Sequence, residues 1–86
     1  MTQHNTNYIQ TWADNEIHSG ADYLLIDIIE QAENTIREEY GNSVAQMNSL
    51  INYLQIAVAD TNRTLSERVV AEAMLIATQP LLQEIV

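Results

Sequence analysis

Three residues whose side chains can bind a divalent cation, Asp14, His18 and Asp22, are spaced four residues apart. On one continuous helix they would share a face, a geometry in which carboxylate and imidazole groups can hold a metal ion. Ser19-Gly20 falls between them and is expected to break or bend the helix. A histidine near a helix C-terminus is also favoured by the helix dipole alone. The pattern therefore predicts no metal site.

Four carboxylates in the segment 30–39 form a second group that could do chemistry: Glu30, Glu33, Glu38 and Glu39. Paired carboxylates catalyse hydrolysis when an apolar cleft raises the pKa of one of them. These four fall on the polar face of a predicted helix, where solvent keeps both members of a pair ionised. The serines have no histidine at helical spacing, and no glycine-rich loop can hold a phosphate. We therefore expect a protein that is not an enzyme and has no cofactor.

The charge balance is the strongest compositional feature of the chain. Twelve acidic residues stand against three basic ones, all of them arginine, and the formal net charge is −9. Such a chain repels nucleic-acid phosphates and anionic membranes, so we expect no direct binding to either. The complementary partner is a basic surface, such as that of a nucleic-acid-binding protein. Acidic composition also serves solubility by itself, and that interpretation stays open.

The acids are concentrated in the first half of the chain. Helical neighbours three or four residues apart have Cβ atoms about 5–6 Å apart, and phosphates along a nucleic-acid strand repeat at a comparable ~6–7 Å. An acidic helical surface can therefore present charges as a duplex does. The predicted partner-binding residues are the eight acids of this half: Asp14, Glu16, Asp22, Asp27, Glu30, Glu33, Glu38 and Glu39.

A helix over residues 19–41 is expected to carry most of these acids and to be central to packing. Ser19 is a candidate N-cap with Asp22 as its capping-box acid, and Gly41 stands where a left-handed C-terminal residue is favoured. If the preceding helix ran into it without a break, the acids of residues 14–39 would form one charged rod. The predicted apolar stripe contains Leu25, Ile29, Ala32, Ile36 and Tyr40.

Three further helices are predicted. The first covers residues from about 5 to 18, and two more begin after capping boxes formed by Ser43 with Gln46 and by Thr64 with Glu67. Their core-facing residues are predicted to be Ile9, Trp12, Ala13 and Ile17 in helix one, Val44, Met47, Ile51, Leu54 and Val58 in helix three, and Leu65, Val69, Ala73 and Ile76 in helix four.

The end of the last helix is expected at a proline. Pro80 has no N–H for the carbonyl of Ile76, so the helix should stop or kink near Thr78. The apolar turn that follows, over residues 81–86, needs a cover, which either the core of the domain or a second subunit can supply.

Together these elements predict an all-α fold, a small bundle of three to four helices with short loops, in a single acidic domain over residues 1–86. A chain of this length forms a thin core, so we expect a homodimer.

The absence of cysteine excludes disulfides and thiolate zinc sites. Neither a secretory signal nor a membrane span is predicted, which favours a cytoplasmic location, the host cytoplasm if the protein is phage-encoded.

The run Ile17-His18-Ser19-Gly20-Ala21-Asp22, followed by the start of a hydrophobic and acidic helix, resembles a stretch of the Ocr family of phage antirestriction proteins. Members of that family are acidic helical dimers that mimic DNA. The resemblance covers about a fifth of the chain and extends to its overall acidity. It implies a phage or mobile-element protein that inhibits a host defence enzyme, either a restriction system or a CRISPR complex.

Two functional hypotheses follow, beside a third, a metal-dependent enzyme built on Asp14, His18 and Asp22, which the expected break at Ser19-Gly20 disfavours. In the first, the protein is an inhibitor whose acids occupy the basic nucleic-acid groove of a host defence complex. In the second, it is a non-enzymatic interaction or scaffold module whose acids serve only solubility. The second predicts contacts through the neutral face of helix three, with Gln46, Asn52 and Gln55, or through Leu81 and Ile85. Acid-driven binding should weaken as salt rises, whereas apolar packing should not.

Overall fold

The computed structural model describes residues 6–40 and 43–85. Within them the chain forms four helices joined by short turns: α1 (Thr6–Gly20), α2 (Leu25–Tyr40), α3 (Val44–Ala59) and α4 (Leu65–Ile85). The predicted all-α bundle is therefore confirmed. None of these helices combines the length and the apolarity needed to cross a bilayer.

The centre of the packing is α4, not α2 as the sequence suggested. Helix α4 contacts all three other helices, whereas α2 packs on α4 and touches α1 and α3 only slightly. The buried face of α4 includes the small residues Ala71, Ala73 and Ala77. Small side chains let several helices approach one backbone closely, and the bulkier, more acidic α2 offers no comparable surface.

The boundary between the first two helices differs from the prediction. Ser19 is not an N-cap, because α1 continues through it to Gly20, and α2 begins only at Leu25. The amide of Tyr23 donates to the carbonyl of Gly20 across 3.0 Å and closes the turn. Gly20 is buried against α4, and a Cβ there would lie 3.2 Å from Cγ1 of Val70. The continuous charged rod is therefore absent too.

The two later capping boxes form at the predicted places. Ser43 Oγ accepts from the amide of Gln46 across 3.2 Å, which starts α3. At the start of α4 the contact is reciprocal: Thr64 Oγ1 accepts from the amide of Glu67, and Glu67 Oε1 accepts from the amide of Thr64. Each pair satisfies amides that the first helical turn leaves without partners. The predicted cap at Gly41 lies outside the described residues.

The apolar stripe of α1 is buried as predicted, with Ile9, Ala13 and Ile17 in the core. The partly buried Trp12 packs against this core. In α3 the core residues are Met47, Leu50, Leu54 and Ala57, so the buried face is rotated slightly from the predicted one. The residues that form the core are Ile9, Ala13, Ile17, Ile28, Ala32, Ile36, Met47, Leu50, Leu54, Ala57, Val70, Ala71, Ala73, Met74, Ala77 and Leu81.

Two predicted stripes are partly wrong. In α2, Ile28 replaces Leu25 in the core, while Ala32 and Ile36 are buried as predicted. In α4 the buried row runs through Val70, Met74, Ala77 and Leu81. Three residues of the predicted α4 stripe, Leu65, Val69 and Ile76, face outward instead. Both rows have helical spacing, and only contact with the other helices decides which of them is covered.

Pro80 does not end α4, which continues to Ile85. Of the predicted stop or kink near Thr78, the stop is therefore wrong, and the kink stays a prediction. Thr78 is buried, and its Oγ1 donates to the carbonyl of Leu75 across 2.7 Å, which satisfies the hydroxyl inside the helix. Leu81 is buried in the domain's own core. The side chain of Ile85 and the whole of Val86 lie outside the described residues.

Candidate partner-binding surface

An outward row of carboxylates runs along α2. Asp27, Glu30 and Glu38 are exposed, and helical geometry places them on the side of α2 away from the buried Ala32 and Ile36. At 1.5 Å per residue the row spans about 16 Å of helix axis. Five phosphate-to-phosphate steps along one strand of a duplex cover a similar axial length, since each step is about 3.4 Å. We call Asp27, Glu30 and Glu38 the α2 acidic row.

The other acids predicted for this surface do not join the row. Glu33 is half-buried on a flank of α2, and Glu39 is exposed near the C-terminal end of α2, in line with the buried Ala32. Asp22 is exposed in the turn before α2. Glu16 is exposed on α1, at the edge of a recess of about 220 Å³ that it lines with Tyr23 among others. The eight predicted residues are thus spread over two helices and a turn.

Asp14 is held in a contact inside the fold. Its Oδ1 lies 2.7 Å from Nη2 of Arg63, in an ion pair that joins α1 to the turn before α4. The same guanidinium nitrogen donates to the hydroxyl of Tyr53 across 2.8 Å. The Tyr53 hydroxyl in turn donates to Asp14 across 3.4 Å. Asp14 therefore has a structural role in the packing of α1 on α3.

Each of the three arginines makes a contact inside the fold. Arg37 pairs with Glu84 across 3.1 Å and joins α2 to α4. Arg68 donates from Nε to the carbonyl of Val58 across 2.8 Å, near the end of α3. With Arg63 bound to Asp14, all three arginines make contacts within the fold. Within the described residues the ion pairs include no member of the α2 acidic row.

The residues considered for metal binding do not converge. Asp14 faces Arg63, and Nδ1 of His18 lies 3.2 Å from Oε2 of Glu67 on α4. Asp22 lies beyond the end of α1, so the helical spacing that would align it with the other two is lost. Across the described residues, no three histidine or acidic side chains are grouped as ligands for a metal ion.

Two pKa shifts describe how these contacts are stabilised. Burial raises the pKa of the Tyr53 phenol, with a further upward contribution from Asp14, so the phenol stays protonated and donates its hydrogen bond. The hydrogen bond from His18 and then that from the Thr64 amide lower the pKa of Glu67. Neither shift produces a nucleophile or a general base with a pKa near neutral pH. For that, the pKa of the phenol would have to fall and the pKa of the carboxyl would have to rise.

Sequence reasoning missed an apolar surface at the end of the molecule where the α1–α2 turn meets the start of α4. Four large apolar side chains that are between 40% and 75% exposed line one shallow groove there: Tyr23, Leu25, Leu65 and Val69. We call these four residues the apolar patch. Leu24 and Ile26 are also exposed but do not line the groove. The run of four apolar residues from Tyr23 to Ile26 was the available signal, because one helix face cannot cover four consecutive side chains.

The residues of the alternative hypothesis are divided by the structure. Asn52 and Gln55 are exposed on α3, and Gln46 is half-buried beside its cap. Leu81 is buried in the core and cannot contact a partner in this fold. The neutral face of α3 is therefore the remaining contact surface that this hypothesis predicted.

Comparison of the chain with protein-family models, with curated proteins and with solved structures gives no significant match. The fold and its surfaces are therefore interpreted from their own geometry and charge.

Proposed function

We propose that the protein is a non-enzymatic acidic inhibitor, which binds the basic nucleic-acid groove of another protein through the α2 acidic row. The observation that carries this proposal is the commitment of all three arginines to internal contacts. The three arginines thus bind groups on other helices and turns of the same chain. The carboxylates of Asp27, Glu30 and Glu38 remain available to an external cation.

The class of target follows from the chemistry of the row and from the family resemblance. Carboxylates on a helix, spread over a distance that matches about five phosphate-to-phosphate steps, suit lysine and arginine side chains that normally hold a nucleic-acid backbone. The resemblance implies that the groove belongs to a restriction or CRISPR complex, and that the protein comes from a phage or mobile element and acts in the host cytoplasm. Because the protein is not a nucleic acid, its binding would release no counterions from a phosphate backbone. It would instead displace the nucleic acid from the groove.

Competition for DNA tests the proposal. A labelled duplex would be bound to a purified host restriction complex and, separately, to a CRISPR effector complex, and its displacement followed by fluorescence anisotropy. Wild-type protein should displace the duplex from one of them, and its own direct binding to that complex, measured with labelled protein, should weaken as salt rises between about 50 and 200 mM. The double variant Asp27→Asn/Glu30→Gln should be at least about tenfold weaker, since two charge-assisted contacts are lost.

The matched control is the single variant Glu72→Gln, which removes one charge from an exposed position on α4 that belongs to none of the ion pairs described above, and it is compared with the single variant Glu30→Gln. Glu72→Gln should compete within about twofold of wild type, because net charge alone acts weakly over such distances at moderate salt. Equal loss in Glu72→Gln and Glu30→Gln would mean that net charge, not the α2 acidic row, determines binding. Displacement that Asp27→Asn/Glu30→Gln leaves unaltered would favour the alternative interaction module.

A further inference from the structure

A recess separates α1 from α2 on the surface of the bundle. Both helices pack on α4 but touch each other only slightly, which leaves space between them. The buried Gly20 at the end of α1 adds no side chain to this space, and a Cβ there would lie 3.6 Å from Cγ1 of Ile28. The volume that results is about 220 Å³. We call it the α1–α2 recess.

The floor of the α1–α2 recess is apolar. Ile28 and Ala32 on α2 and Met74 on α4 line it, and all three side chains are buried. Methylene groups that enter the recess would lie against aliphatic carbons and a thioether, and their removal from water would be favourable. The floor therefore favours a ligand with an aliphatic segment.

The rim of the recess is polar and negatively charged. Among the described residues that line it, Glu16 alone carries a charge, and the ion pairs of the described part of the chain do not include this carboxylate. The exposed Tyr23 and Gln31 also line the recess. A carboxylate and an amide oxygen accept hydrogen bonds from a cation, and the face of an aromatic ring attracts one. The recess therefore fits an aliphatic chain that ends in an ammonium or guanidinium group.

The recess opens beside the α2 acidic row. Gln31 lines the recess and follows Asp27 of the row by four residues, so their Cβ atoms are about 5–6 Å apart on the surface of α2. A protein that contacts the row therefore also reaches the mouth of the recess. A free alkylamine fills the recess with only a few atoms and gains little affinity. A lysine or arginine side chain of a bound protein is held there by the other contacts of the same interface.

We propose that the α1–α2 recess receives one lysine or arginine side chain of a protein partner. The methylene groups of that side chain lie on Ile28, Ala32 and Met74, and its cationic group binds the carboxylate of Glu16. The identity of the partner as a protein with a basic groove rests on the proposed function, whereas the chemistry of the recess does not. Glu16 thus binds a cation whose aliphatic chain is also buried, which the exposed α2 acidic row cannot offer.

Titration with capped amino acids, followed by nuclear magnetic resonance, tests the recess without a partner. Nα-acetyl-lysine methylamide should shift the amide signals of Gly20 and Gln31 and the methyl signal of Met74, with saturation in the millimolar range because few atoms are bound. The norleucine analogue keeps the methylene chain but has no ammonium group, and should bind at least about fivefold more weakly. Glu16→Gln should lower the affinity for the lysine compound toward that for the norleucine compound.

The matched control for the titration is Glu72→Gln, which removes the same charge from an exposed position that does not line the recess. It should bind the lysine compound within about twofold of wild type. Glu16 is exposed, so circular dichroism should show an unchanged helical fold for Glu16→Gln. Recess signals that do not shift would overturn the proposal. So would equal affinity for the lysine and norleucine compounds, or equal loss in Glu16→Gln and Glu72→Gln.

The competition assay then separates the recess from the proposed function. Asp27→Asn/Glu30→Gln should bind the lysine compound within about twofold of wild type, because these residues do not line the recess. Glu16→Gln should displace the duplex at least about threefold less well than wild type. Lysine binding by a protein that displaces the duplex from neither complex would contradict the inhibitor function and support the recess chemistry. Displacement that Glu16→Gln leaves unaltered would overturn the place of the recess in the interface.

Discussion

Arg63 is the side chain on which three parts of the fold depend. Its Nη2 lies 2.7 Å from Asp14 on α1, and the guanidinium carbon lies 6.0 Å from the ring centroid of Tyr53 on α3. Its Nε lies 3.8 Å from Oδ2 of Asp60 in the α3–α4 turn and, within the described residues, makes no hydrogen bond. The hydrogen bond with Asp14 is the main cause that raises the Arg63 pKa. The guanidinium therefore remains charged at this junction.

Replacing Arg63 by alanine should lower the free energy of unfolding by about 1–3 kcal/mol, measured by urea denaturation. Arg63→Lys should recover only part of it, because an ammonium cannot reproduce the planar donor arrangement that serves Asp14 and Tyr53. Arg37→Ala is the matched control, since its pair with Glu84 is about half exposed on both sides and should contribute under about 1 kcal/mol. Equal losses in the two alanine variants would contradict a special role for Arg63.

At this scale the sequence showed which residues were charged but not which charges would meet. Asp14 was assigned to a partner-binding surface because it belongs to the acidic half of the chain. Its actual neighbour, Arg63, is 49 positions away in the sequence. Spacing rules describe contacts within one helix, and a pair formed between helices depends on how they pack.

At the scale of elements, local signals placed the helix starts that carry capping boxes and misplaced the one that does not. Thr64 with Glu67 closes the predicted reciprocal contact. Ser19 with Asp22 has the same pattern but lies where Gly20 packs against Val70 on α4. A close helix contact holds the end of α1 in place, and the local cap is overridden. The error in the predicted apolar stripe of α4 has a similar cause. Periodicity alone cannot tell which apolar row the other helices cover.

The contacts of Glu67 with His18 and, second, with the Thr64 amide at the start of α4 should make stability depend on pH. Glu67 has a pKa below its usual value in the folded state, so it contributes stability that is present above the unfolded-state pKa. That contribution is lost as the pH falls through the folded-state pKa. Glu67→Gln keeps the capping geometry without the charge. It should be less stable than wild type at neutral pH, and the difference should close in acid.

Urea midpoints measured from neutral to strongly acidic pH check this expectation. Glu72→Gln, one helical turn further along α4 on an exposed surface, is the control and should follow the wild-type profile. A constant difference between Glu67→Gln and wild type at every pH would show that the carboxylate charge is not the cause.

At the scale of the whole molecule, net charge and dimensions set how far the carboxylates act on one another. The formal net charge is −9, and the longest extent is 33 Å. The Debye length is about 30 Å at 0.01 M salt and about 8 Å at 0.15 M. Carboxylates at opposite ends therefore interact at low salt, whereas only near neighbours do so at physiological salt. The all-α class was predictable from composition and periodicity, but this distribution of charge over the surface required the packing.

The free energy of unfolding should rise as sodium chloride is increased from about 0.01 to 0.15 M, because screening relieves repulsion within the compact state. The measurement is urea denaturation of the wild-type protein at each salt concentration. Adding Asp27→Asn/Glu30→Gln should reduce the increment, since fewer like charges remain. Stability that falls with salt would instead mean that the attractive pairs of Arg37 and Arg63 dominate.

The internal contacts of the arginines also determine how a protease specific for basic residues meets this fold. The chain has no lysine, so such an enzyme can cut only after Arg37, Arg63 and Arg68. Arg37 and Arg68 lie within helices, and the Arg63 side chain is only 18% exposed. Cleavage at any of them requires a helix to unwind or a guanidinium to leave its partner. The rate of tryptic digestion would therefore report how often the bundle opens.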